Sequence, residues 1–96
     1  MSLIVRWTRR ALKRLDEIGN YIARDNPSAA TRTVGEIAGG VNTLGKQPAL
    51  GRPGRLVGTR ELVIAGTNYI VAYRVNNRDV EILTILHGAQ QWPEQL

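Results

Sequence analysis

Cysteine and phenylalanine are both absent from this 96-residue chain, and histidine occurs once, at His87. Without cysteine there is no disulfide framework and no thiolate nucleophile. With a single histidine besides, a structural zinc ion lacks its ligand set, so no metal and no cofactor are expected. No apolar run reaches the ~18 residues that a membrane-spanning helix needs, which argues against a membrane partner. Residues 1–7 have the length of a strand but not the apolar core of a signal peptide, and this points to the cytoplasm. Lacking phenylalanine, the core must be built from Leu, Ile, Val and Ala, helped by two Trp and three Tyr.

Lysine is nearly absent too. Of the 13 basic residues, all but Lys13 and Lys46 are arginine, set against 8 acidic residues for a net charge of +5. The guanidinium fork suits planar, two-point contacts to phosphate or carboxylate. The charge therefore points to a polyanion or an acidic protein partner. A chain of this length supports one domain, covering residues 1–96, and one core.

Residues 3–7 alternate as a short strand, with Leu3, Val5 and Trp7 on one side. Thr8 is placed to cap a helix over 9–24, in which Ala11, Leu12, Leu15, Ile18 and Ile22 recur at helical spacing. Asn26 and Pro27 give a second cap and a first helical position that needs no N–H. Ala30, Val34, Ile37, Val41 and Leu44 then form a narrow stripe, weakened by Gly35, Gly39 and Gly40 at about 1 kcal/mol each. These glycines are also candidates for the close approach of another backbone. A loop over 47–58 precedes three strand-like runs over 59–64, 68–75 and 80–87, joined by turn-forming links.

The expected architecture is α+β, in the order β-α-α-β-β-β. An antiparallel helical hairpin lies on one face of a mainly antiparallel sheet, and the last three strands form a meander. The other face is then available to a ligand. On the third strand Tyr69, Val71, Tyr73 and Val75 oppose Ile70, Ala72 and Arg74. Strict alternation on the fourth sets Val80, Ile82, Thr84 and Leu86 against Glu81, Leu83, Ile85 and His87. Both faces are apolar, so the pattern leaves open which one is wet.

The order of elements, Asn26-Pro27 between the helices, the Gly51-Arg52-Pro53-Gly54-Arg55 loop and Gly58-Thr59-Arg60-Glu61-Leu62 together resemble the RelE/ParE toxin superfamily. So do the runs 69–75 and 80–87. The likeness covers nearly the whole chain, and the ending from Glu81 to His87 is closer to the ParE branch. The resemblance implies the toxin of a type II toxin–antitoxin pair, neutralised by a small cognate antitoxin. ParE-like members block DNA gyrase without cutting nucleic acid. RelE-like members cut messenger RNA at the ribosome, and fold alone does not choose between them.

Metal-free RNA cleavage needs a base for the 2′-hydroxyl, an acid for the leaving oxygen and cations for the charged transition state. His87, Glu61, Tyr73, Arg60 and Arg74 are the candidates, with Glu61, Arg74 and His87 as the working trio. His87 can equally be a hydrogen-bonded strand end. RelE-like nucleases place an Arg after the Tyr that opens the third strand and basic residues after the fourth. Here Ile70 follows Tyr69, and 88–91 hold no cation. That departure favours the gyrase reading, although a cleft gathering His87, an acid and two guanidinium groups would favour catalysis. Arg52, Arg55, Arg60, Arg74, His87 and Trp92 are the residues expected to meet a target or partner. Arg74 can instead pair with Glu61 or Glu81 across the sheet, and Trp92 can either anchor an interface or fold back over the core. A basic nucleic-acid-binding module without catalysis is the third alternative.

Overall fold

The computed structural model describes residues 2–88 and 92–93. Strand β1 (Ile4–Trp7) runs into helix α1 (Arg9–Ala23), which turns back into α2 (Pro27–Thr43). Strands β2 (Arg52–Pro53), β3 (Arg60–Val63), β4 (Tyr69–Val75) and β5 (Asp79–His87) follow. Both helix starts are made as the sequence dictates. The Thr8 hydroxyl accepts the Ala11 N–H at 3.1 Å, and the Asn26 side-chain oxygen accepts the Ala29 N–H at 3.0 Å. Each occupies donors that would otherwise lack a partner in the first helical turn.

The sheet has the order β1-β5-β4-β3-β2. β1 is parallel to β5, and the other neighbours are antiparallel. The expected α+β arrangement is therefore present, with one addition. The glycine-rich loop supplies the two-residue β2, which pairs Arg52 with Glu61 and Pro53 with Arg60. Ala11 and Ile18 of α1 and Ile37, Val41 and Leu44 of the α2 region pack with Val71, Tyr73, Ile82 and Ile85 in one core. Burying each large aliphatic side chain contributes about 1.5–3 kcal/mol. Leu12, by contrast, lies off this stripe and is exposed.

One departure matters for the site. Between Ala72 and Tyr73 the β4–β5 register slips by one residue: Tyr73 faces Ile82, but Ala72 faces Thr84. Leu83 is the extra residue of a β-bulge, and everything beyond it on β5 changes face. Strict alternation is overturned here. Ile85 and His87 join Ile82 and Val80 on the helix-covered face, opposite Val71 and Tyr69. Thr84 and Leu86 join Glu81 on the other face.

The glycines of α2 also differ from expectation. A Cβ on Gly35 or Gly39 would meet nothing within 4 Å, so neither admits a neighbouring backbone. Only Gly40 is crowded, and by the side chain of Ile64. Among the described residues, no helix is long and apolar enough to cross a membrane.

Candidate functional site

The face of the sheet away from the helices carries most of the residues singled out from the sequence. Its charges are internally matched. Arg6 on β1 reaches Asp79 at 3.3 Å and Glu81 at 2.5 Å, and Arg74 on β4 lies 3.8 Å from Glu81. The Asn76 amide and then Arg6 hold the Asp79 carboxyl below its ordinary value. Arg52 donates to Glu61 at 2.5 Å, and the Trp92 indole N–H donates to the other Glu61 oxygen at 2.9 Å. Trp92 thus folds back onto β3 rather than standing out as an anchor. Pro93 borders a depression with Thr84 and Leu86, and these two residues are buried along with Ala72. The centre of this face is therefore not the open platform that the sequence suggests.

Arg60 and Tyr73 point the other way, into the support beneath the 48–53 loop. Tyr73 is fully buried. Its hydroxyl donates to the Pro48 carbonyl and accepts the Gly51 N–H, both at 2.8 Å, while Arg60 donates to the Gly51 carbonyl at 2.7 Å. Both side chains hold the loop in place. Arg55 is exposed on the adjoining loop.

His87 is not with Glu61 and Arg74. The bulge places it on the opposite face, paired with Tyr69, whose ring meets it edge-on at 5.6 Å and 88°. The trio drawn from the sequence is not assembled. His87 instead opens into a cleft of about 670 Å³ between the strand ends and the second half of α1. Arg14, Glu17, Tyr21 and Arg24 line its helical wall, and Tyr69 and His87 its strand wall. Arg14 donates to the Ile85 carbonyl at 3.1 Å, on the stretch of β5 that β1 does not reach, and sits 3.9 Å from Glu17. An adjoining depression of about 270 Å³ shares Arg14 and Glu17 and adds Arg10 and Lys13.

The sequence reading missed these helix residues. Their signal was a second stripe on α1, in which Arg10, Arg14, Glu17, Tyr21 and Arg24 repeat at three and four residues. The cleft does gather a histidine, an acid and two guanidinium groups, though from α1 rather than from the sheet. Among the described residues, no group of three or more His, Cys, Asp or Glu is placed to hold a metal.

A family model for the ParE toxin of the type II toxin–antitoxin system parDE matches residues 5–92. Y4kP of Sinorhizobium fredii is 58% identical over 92 residues, covering 96% of this chain and 95% of that protein. Toxin RelE2 of Caulobacter vibrioides is 35% identical over 84 residues, 88% of this chain and 93% of its own. Among solved structures, a chain of the chromosomal ParDE system from P. aeruginosa superposes with a TM-score of 0.80 at 28% identity, covering 90% of this chain and 96% of that one. The toxin–antitoxin complex RelBE2 of Mycobacterium tuberculosis gives 0.62 at 28% identity, over 91% and 99%. This chain belongs to the ParE family of type II toxins, within the RelE/ParE superfamily.

Proposed function

We infer that this toxin acts by inhibiting DNA gyrase and is held silent by a cognate antitoxin. One observation carries the choice of target. The sheet face that holds Glu61 and Arg74 presents arginines already committed to carboxylates, so they are poorly placed to clamp a scissile phosphate. The ParE family match points the same way. Purified toxin in molar excess is expected to abolish supercoiling by gyrase in vitro. Messenger RNA from induced cells should show no new cuts by primer extension. Undiminished supercoiling would refute the assignment.

The messenger-cleaving alternative is favoured by one feature, the cleft around His87. Under that reading the working groups are His87, Arg14, Arg24 and Glu17, in place of Glu61, Arg74 and Tyr73. His87→Ala would then remove both toxicity and the codon-linked cuts.

The antitoxin has a fitting surface elsewhere. Ile64 directs its N–H at β4, so Val63 directs its own N–H and carbonyl outward, beyond the end of β2. Val63 and Leu50 are each about half exposed, at 51% and 52%, beside Gly39 and Gly40 of α2. An extended antitoxin segment would add a strand here and bury both side chains. Val63→Lys is expected to weaken antitoxin binding by about tenfold or more, measured by calorimetry, and to leave inhibition of the target intact.

A further inference from the structure

We propose that the trench between α1 and the end of β5 is a binding surface for single-stranded nucleic acid, distinct from the surface assigned to the antitoxin. The two joined depressions bring together Arg10, Lys13, Arg14 and Arg24, with Glu17 as their acidic counterpart, so cations outnumber acids. These cations project from one side of a single helix. Between Arg10 and Arg24 the helix advances about 21 Å, which is long enough to follow several phosphates.

At one end the trench changes character. Tyr21, 67% exposed, stands across from the Tyr69–His87 pair. The space there, about 670 Å³, is of the size that takes a small organic group. A cationic track ending in aromatic rings is the arrangement that holds a flexible strand by its backbone and stacks its bases. An acidic peptide would use the cations equally well but has little use for the exposed tyrosine face. Arginine's planar fork further suits phosphate.

This surface is separate from the ion-paired sheet face and from the open edge of β3. It does not depend on whether gyrase or messenger RNA is the target, since both present nucleic acid to a bound toxin. The bulge at Leu83 builds the strand wall by turning His87 toward α1. Arg14 contributes charge while anchored to the Ile85 carbonyl.

The test is fluorescence anisotropy with a short labelled single-stranded DNA and its RNA counterpart, across a series of salt concentrations. The wild-type toxin is expected to bind both, and more weakly as salt rises. Lys13→Glu with Arg24→Glu should weaken binding about tenfold or more and flatten the salt slope by about one unit per cation removed. Tyr21→Ala should weaken it about tenfold with the slope unchanged. Arg32→Glu, on the exposed surface of α2 and outside both depressions, should have no effect. Circular dichroism confirms that each variant is folded. The proposal is overturned by absent binding, by equal weakening in Arg32→Glu, or by polyglutamate competing as well as an unlabelled oligonucleotide. The supercoiling assay on the same proteins keeps the two inferences apart. A toxin that inhibits gyrase without binding an oligonucleotide would sink only this one.

Discussion

Gly51→Ala is expected to destabilise the protein by about 3 kcal/mol, the upper part of the range for forcing a methyl group into filled space. A Cβ at this position would lie 2.6 Å from the Tyr73 hydroxyl and 2.7 Å from both the Glu61 carbonyl oxygen and a Tyr73 ring carbon. Two of the three obstacles are not flexible side-chain ends. The Glu61 carbonyl belongs to β3, and the Tyr73 ring is fixed in the core on all sides. Relief would require the 48–53 loop to lift, which breaks the Gly51–Tyr73 hydrogen bond and pulls the Gly51 carbonyl from Arg60. Urea denaturation followed by circular dichroism measures the loss. Pairing the substitution with Tyr73→Phe should return only part of it, because the carbonyl obstacle remains. The two changes share contacts and will not add. A midpoint within experimental error of wild type would show that the loop moves without cost.

Tyr73→Phe is the second large effect, a loss of about 2 kcal/mol. The ring still fills its place, so no cavity forms. What is lost is the partner of a buried N–H at Gly51 and of the Pro48 carbonyl, and an orphaned buried group costs about 1–3 kcal/mol. The same hydroxyl predicts a pH effect. Burial pushes its pKa above the ordinary value of 10.0, an effect partly offset by the Gly51 N–H and the nearby Arg60. The folded state therefore keeps its proton at a pH where the unfolded chain has released it. Stability is at its full value below about pH 10 and falls as pH rises through the folded-state value. In Tyr73→Phe that alkaline loss should be smaller, which a comparison of unfolding free energies at neutral and alkaline pH would reveal.

Much of the architecture could be read from local chemistry. Thr8, Asn26 and Pro27 marked both helix starts because capping is decided within a few residues. Turn formers at 65–67 and 76–79 separated the strands for the same reason. The face on which His87 lies was a different kind of question. The run from Val80 to Leu86 is apolar at nearly every position, so inserting one residue leaves its pattern unchanged. Only the pairing with β4 exposes the slip at Leu83. With His87 assigned to the wrong face, its neighbours were sought on the sheet, at Glu61 and Arg74, instead of on α1. The roles of Arg60 and Tyr73 were hidden similarly. Both resemble catalytic residues in type, yet their partners are backbone groups of a loop, and a linear sequence carries no trace of such contacts.

The parallel pairing of β1 with β5 has a consequence for how the toxin is born. Ile4 must wait for Asp79, and β5, the final strand to be synthesised, takes an inner place between β1 and β4. Closing so long a loop is slow and gives nothing back until it is complete. A nascent chain on the ribosome can form its helical hairpin early, but it cannot complete the sheet, nor can it raise the strand wall that carries Tyr69 and His87. Harmful activity is thereby postponed to release from the ribosome, and a product broken off before residue 79 is inert by construction.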